Sequence, residues 1–338
     1  MFVNMTRKQF LRDALEQLEA HTGVPGVITE PKTSDTDGLL TFRYDGRTQK
    51  THLVVRRFVH PAQLADIQRL TERYAPLLVV AEHIQPKVKE WLRLGGVAYL
   101  ESDGNLYYRG TGILLWIERQ RKGTTKVTRE KTGRAFTKTG LRLVFHLLQE
   151  PALLDLTYRE IAKRTGVVFG NINVVFNDLK QQGFLLELER NRIALHHRQA
   201  LLERWVVGYE EKLKPSLKLG TFRFLKEEDM LNWKRIELQH DKTWWGSEPA
   251  ADLLTNRLKP GLFTLYTLET RQELMRNYRL LPDEKGPVTA YGKFWQTEGA
   301  DERVVPPLLV YTDLINTGDR RCMDIAKTVY EQYLQDGL

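Results

Sequence analysis

One stretch of the chain leaves few choices of local fold. Residues 157–195 read TYREIAKRTGVVFGNINVVFNDLKQQGFLLELERNRIAL. Thr157 and Glu160 have the Thr-x-x-Glu spacing of a capping box, in which a hydroxyl and a carboxylate satisfy backbone N–H groups at a helix start. The helix they open turns Ile161 and Ala162 inward. Gly166 then permits a sharp turn, because glycine adopts left-handed backbone at no steric cost. A further helix is expected over residues 169–182, where Ile172, Val175, Phe176 and Leu179 recur at i, i+3, i+4 and i+7. Gly183 closes it. Upstream, Leu141, Val144, Phe145 and Leu148 line one face of a helix that Pro151 stops. Downstream, residues 184–188 and 193–195 predict two short strands around the loop 189–192.

Helix, tight turn, helix and two-stranded ribbon is the layout of a winged helix-turn-helix, whose last helix lies in the DNA major groove. The residues left outward near the start of that helix are Asn171, Asn173, Val174 and Asn177. Asparagine bonds adenine N6 and N7 bidentately, and it is a mediocre helix former, so three on one helix suggest a use. The alternative is local capping. Lys163, Arg164 and Lys180 suit phosphates, and Arg190 and Arg192 on the wing suit the backbone or minor groove. Some winged helices serve protein contacts only; the neighbouring cations favour DNA.

At 338 residues the chain is long enough for two or three domains. It carries 51 Lys+Arg against 43 Asp+Glu, a balance that favours an anionic partner. Many of those cations fall in residues 119–138, which have no hydrophobic period and read as a basic linker or arm, each cation able to release a counterion on meeting a phosphate. Cys322 is the only cysteine, which excludes an internal disulfide framework and an all-thiolate zinc site and makes the cytoplasm the expected compartment. The N-terminus lacks the apolar core of a signal peptide, and no run approaches a membrane span.

Residues 1–118 alternate as α-β-β-α-β-α-β-β, with a helix over 7–20, strands over 39–44 and 51–58, a helix ending at Tyr74, a buried strand over 77–81, a helix over 86–94 and strands over 97–100 and 106–108. This order resembles the restriction-endonuclease-like fold. An active member needs carboxylates to hold a water-activating metal, with a lysine nearby. Asp37 takes the place of the first Asp, but Val54 stands where the metal-binding Glu belongs and Arg56 where the Lys belongs. Valine ligates no cation, so the domain is expected to be a degenerate scaffold with no metal. Glu16 and Glu19 read as solvated helix face, and Glu82-His83 as strand-end polar residues.

Residues 199–338 predict a helix over 200–213 ended by Pro215, strands near 221–225, 262–268 and 288–294, and a last helix over 322–334. Trp244 and Trp245 anchor a core, and Ser247 is placed to cap a helix. Residues 304–321 read as a strand running into a turn. The pairing of Trp244-Trp-Gly-Ser-Glu-Pro-Ala-Ala with Val305-Pro-Pro-Leu-Leu-Val-Tyr-Thr-Asp-Leu-Ile-Asn-Thr-Gly-Asp-Arg-Arg resembles the AbiEi-type transcriptional regulators, antitoxins of type IV toxin–antitoxin systems. The resemblance implies a DNA-binding repressor of its own operon. It also implies a functional link to a nucleotidyltransferase-like toxin that needs no stable complex.

The expected organisation is α+β multidomain: a nuclease-like mixed α/β domain over 1–118, a basic linker over 119–138, a winged helix-turn-helix over 139–198 and an AbiEi-like α/β domain over 199–338. The expected role is a sequence-specific regulator contacting double-stranded DNA, with no catalytic residue and no cofactor. The alternative is a metal-dependent nuclease. In the last domain Glu248, Asp313 and Asp319 with Arg320 are the residues from which a metal or phosphate site would be built, although turn and capping roles account for each.

Overall fold

The computed structural model describes residues 7–31, 33, 35–118, 133–188, 192–296 and 303–335. The chain divides into two compact units, Met1–Arg129 and Glu130–Leu338.

The first unit is built on a seven-stranded sheet whose spatial order follows the chain. Helix α1 (Arg7–Thr22) precedes β1 (Gly26–Thr29), β2 (Gly38–Tyr44) and β3 (Arg47–Val59), which pair antiparallel. Then α2 (Leu64–Tyr74), β4 (Leu77–Ile84), α3 (Pro86–Leu94) and β5 (Ala98–Glu101) make two crossovers between parallel strands. Antiparallel β6 (Leu106–Gly110) and β7 (Ile113–Ile117) finish the sheet. Alternation along β3 decides the layers. Leu53 and Val55 pack with Leu11, Ala14 and Leu18 of α1, while Val54 joins Ile67 of α2 and Val88 and Leu92 of α3 on the other face. Both crossover helices lie on one face, as crossovers of a single hand require when the strand order runs 3-4-5. The sequence reading lacks β1 and β7. The first is a four-residue strand with Val27 exposed, and the second exposes Leu114 and Trp116 at alternate positions, so neither shows a polar outer row.

The second unit opens with a 3-10 turn (Arg134–Phe136) and α4 (Lys138–Gln149), α5 (Tyr158–Thr165), α6 (Phe169–Gln181) and the ribbon β8 (Leu185–Glu187) and β9 (Ile193–Leu195). Helix α7 (Arg198–Gly208) runs through a π-helical turn (Tyr209–Leu213) into α8 (Lys214–Leu217). There follow β10 (Lys218–Phe224), α9 (Glu227–Leu231), β11 (Thr243–Gly246), α10 (Ser247–Thr255), β12 (Phe263–Thr267), α11 (Arg271–Asn277), β13 (Leu280–Pro282), β14 (Val288–Gly292), α12 (Pro307–Thr317) and α13 (Arg320–Tyr333). The sheet order is β11-β12-β14-β10-β13, with only β12 and β14 parallel.

Three local expectations are corrected. Residues 307–317 are helix rather than strand: Pro307 enters at the first turn, and almost every side chain from Leu308 to Asn316 is buried, so no 3.6-residue polar stripe marks the helix. Ser247 does not cap α10; Gly246 is the cap residue and no side-chain bond is made there. Pro215 does not end the long helix, because the π turn before it leads directly into α8.

Helix α7 packs on α4. Trp205 Nε1 donates to the Leu141 carbonyl at 2.8 Å, and the Phe145 ring lies 5.3 Å from Trp205 and 5.0 Å from Phe294. At Gly208 a Cβ would come within 2.9 Å of Leu141 Cδ2, so the approach of α4 to α7 depends on a missing side chain.

Candidate nucleic-acid interface

The helical pair α5–α6 is set by its own ends. Thr157 Oγ1 accepts from the Glu160 N–H at 3.3 Å, and Glu160 Oε2 accepts from the Thr157 N–H at 2.9 Å. Gly166 has φ 67°, the left-handed conformation that turns the chain toward α6. Ile161, Val167, Ile172, Val175, Phe176 and Leu179 are buried with Leu141, Val144, Phe145 and Leu148 of α4. Asp178 accepts from the Ala135 N–H at 2.8 Å, which joins α6 to the start of the unit. In the ribbon Leu185 faces Leu195 and Glu187 faces Ile193, and the Leu188 N–H reaches the Arg192 carbonyl at 2.7 Å.

A helix of 3.6 residues per turn places Gly170, Asn173, Val174, Asn177 and Gln181 along one outward row. All five are exposed, as is Asn171 at its flank. Asn177 Nδ2 donates to Asn173 Oδ1 at 3.4 Å. Three apolar side chains share this exposed end of α6: Val168 at 70%, Phe169 at 52% and Val174 at 41%. The sequence pattern alone points to Val174 but not to Val168 or Phe169.

Cations border the face. Lys163 and Arg164 are exposed in the last turn of α5, with Arg164 paired to Glu150 at 2.9 Å. Lys180 pairs with Glu187 at 2.5 Å, and Arg192 is exposed beside the ribbon. Surface pairs of this kind are worth about 0–1 kcal/mol, so they do not prevent either cation from meeting a phosphate. Arg190 and residues 119–132 of the basic segment lie outside the described residues. The end of that segment is folded: Phe136 is buried, and the Arg204 guanidinium lies 4.1 Å from its ring centre.

The other polar groups are used in place. Asp37 Oδ2 accepts from the Val55 N–H at 2.7 Å, Val54 is fully buried, and Arg56 pairs with Asp66 at 2.9 Å. Glu16 and Glu19 are exposed on α1. Glu82 pairs with Arg57 at 3.2 Å. His83 has a partner that sequence spacing did not reveal: Glu101 at the end of β5, 3.3 Å from its Nδ1. Glu101 also takes the Ile84 N–H at 2.5 Å, the Asn105 amide at 2.8 Å and the Lys89 ammonium. Burial opposes its charge, but His83, Lys89 and the Ile84 N–H together hold the carboxyl below its ordinary range. Among the described residues no three His, Cys, Asp or Glu converge as a metal site.

Glu248, Asp313, Asp319 and Arg320 are not assembled into one site. Glu248 takes the Gly261 N–H at 2.8 Å, and Asp319 caps α13 by accepting from the Arg321 N–H at 2.8 Å, next to Arg320 in its first turn. Asp313 has a different setting, legible only in three dimensions. It is buried against Lys214 at 2.9 Å and Tyr266 at 2.8 Å, with the Tyr209 hydroxyl 3.3 Å away. Burial alone would lower Lys214, but the carboxylates of Asp313 and Glu210 hold its ammonium above the usual range. Burial raises both tyrosines well above theirs.

No helix among the described residues is long and apolar enough to cross a membrane. No curated protein and no solved structure matches the chain. Residues 194–335, from β9 through α13, match the family model described as transcriptional regulator, AbiEi antitoxin, type IV toxin–antitoxin system. The match covers the five-stranded sheet and its helices, leaves α4–α6 outside, and supports a regulatory, antitoxin-type role for the chain.

Proposed function

We propose that residues 139–198 form a winged helix-turn-helix that binds double-stranded DNA in a sequence-specific way, and that the chain is an antitoxin-like repressor of its own toxin–antitoxin operon. One observation supports the reading most directly: α6 turns an exposed row of uncharged polar and small residues to solvent, with Lys180 in its own last turn and Lys163, Arg164 and Arg192 on the elements around it. A groove-reading helix needs that division, since phosphate contacts orient a protein and base contacts specify the site. The family match over the C-terminal portion supports the regulatory part and a toxin as partner; that the toxin is nucleotidyltransferase-like is what the resemblance of the Trp244 and Pro306 motifs implies. The first unit is read as a degenerate nuclease-like scaffold, because Asp37 is engaged by the Val55 N–H and Val54 is core.

The test compares the chain's own promoter with random duplex of equal length. Asn173→Ala is expected to weaken promoter binding by about 1–3 kcal/mol while leaving random-duplex binding nearly unchanged. Equal losses on both duplexes would remove Asn173 from base reading.

A further inference from the structure

We propose that α6 selects A·T base pairs and senses the thymine 5-methyl group, with Val174, Phe169 and Val168 as the methyl-contacting side chains. This deepens, and rests on, the reading of α6 as the major-groove helix. Each base pair presents its own groups in that groove. Guanine is read most often by Arg or Lys, and cytosine by an acid that accepts from its amino group. The outward row of Gly170, Asn173, Val174, Asn177 and Gln181 contains neither. The one acid on α6, Asp178, holds the Ala135 N–H, and its one cation, Lys180, lies in the last turn, away from the N-terminal half that reaches base edges. The row is therefore without the side chains for G·C readout, while its asparagines suit adenine.

The apolar groups complete the argument. Val168, Phe169 and Val174 are all exposed at the N-terminal half of α6, the part of such a helix that reaches base edges. Covering them with DNA is favourable only where they meet apolar atoms. The thymine 5-methyl is the apolar group that the major groove offers, and valine and phenylalanine side chains fit against it. Lys163 and Arg164 at the end of α5 and Arg192 at the ribbon supply the positive border that a duplex requires.

The experiment selects binding sites from a random duplex library with the full chain at about 100 mM salt, where duplex binding by such a module persists. Its second arm replaces every thymine of the selected site by deoxyuridine. Enrichment of A·T pairs, and an affinity loss of about fourfold for each methyl contacted, are expected. The chain carrying Val168→Ala, Phe169→Ala and Val174→Ala is expected to bind the thymine and deoxyuridine duplexes alike, and so is Val174→Ala alone to a lesser degree. A thermal melt equal to that of the parent shows that these exposed positions leave the fold intact. Selected sites rich in G·C pairs, or equal binding of the two duplexes by the parent chain, overturn the inference and leave DNA binding standing. Binding of no duplex at all overturns both the inference and the reading beneath it.

Discussion

Gly170 is the residue that an isolated helix would least choose. It lies in the first turn of α6, is exposed, and a Cβ built on it would meet nothing within 4 Å. Its backbone is not left-handed, so neither space nor conformation demands glycine in the free protein. Gly170→Ala should therefore raise stability by about 0.5 kcal/mol, seen as a melting temperature higher by roughly 1–2 °C. On the proposed reading of α6 as the groove helix it should also weaken duplex binding, because the added methyl would stand between helix and groove; an unchanged affinity would remove the close approach. His146 supports a second expectation. Burial lowers its pKa from 6.5 to about 4, and the Thr165 backbone beside it offsets only part of that fall. The unfolded chain then binds a proton that the folded one refuses, so stability is fully present above pH 6.5 and falls as the pH drops toward 4. His60 in the first unit behaves alike. His146→Leu should remove one proton's slope from that window in denaturant titrations, and an unchanged slope would assign the acid sensitivity elsewhere. The exposed asparagines were legible in sequence, since a regular stripe of Ile172, Val175, Phe176 and Leu179 leaves them outside. The protonation of His146 was not, because nothing adjacent in sequence tells how completely a ring is enclosed.

At the scale of elements, the π-helical turn at Tyr209–Leu213 is the feature with most consequence. It carries a polar cluster into the core, where Lys214 meets Asp313 of α12 and Tyr209 meets Tyr266 of β12 across 2.5 Å. Removing one partner of such a pair strands the other, whereas replacing both by apolar groups does not. Asp313→Ala should cost about 3–5 kcal/mol, and the double change Lys214→Met with Asp313→Leu should cost much less. Denaturant midpoints of the two variants decide it, and equal losses would mean that packing rather than charge matters at Asp313. The elements with an apolar period or a capping signal were readable in advance: α4, α5 and α6 belong here. Helix α12 was not, because a helix buried on nearly every side has no polar stripe, and its run of Leu308, Leu309 and Val310 looks like a buried strand. Strand β1 and strand β7 fail for the converse reason, an exposed apolar residue where a polar one would mark the outer face.

For the whole molecule, charge and division into units are what matter. The net charge is +8, and the salt dependence of a duplex complex follows the number of phosphates that its cations neutralise. Arg192→Ala should lower the slope of log affinity against log salt by about one, and a slope equal to the parent's would place the ribbon outside the interface. Local chemistry in the chain was sufficient for the helix pair and its turn: a Thr-Glu capping box, a glycine at the turn and apolar residues at helical spacing act over a few residues and need no distant partner. The Trp244 and Pro306 motifs likewise sufficed for the likeness of the C-terminal portion to a regulator family. Tertiary structure alone decided the rest. Glu101 joins His83 because two parallel strands end side by side, and Asp313 joins Lys214 because α12 packs against the π turn. Those pairings depend on which surfaces exclude water together, and that is a property of the assembled layers rather than of any window of sequence.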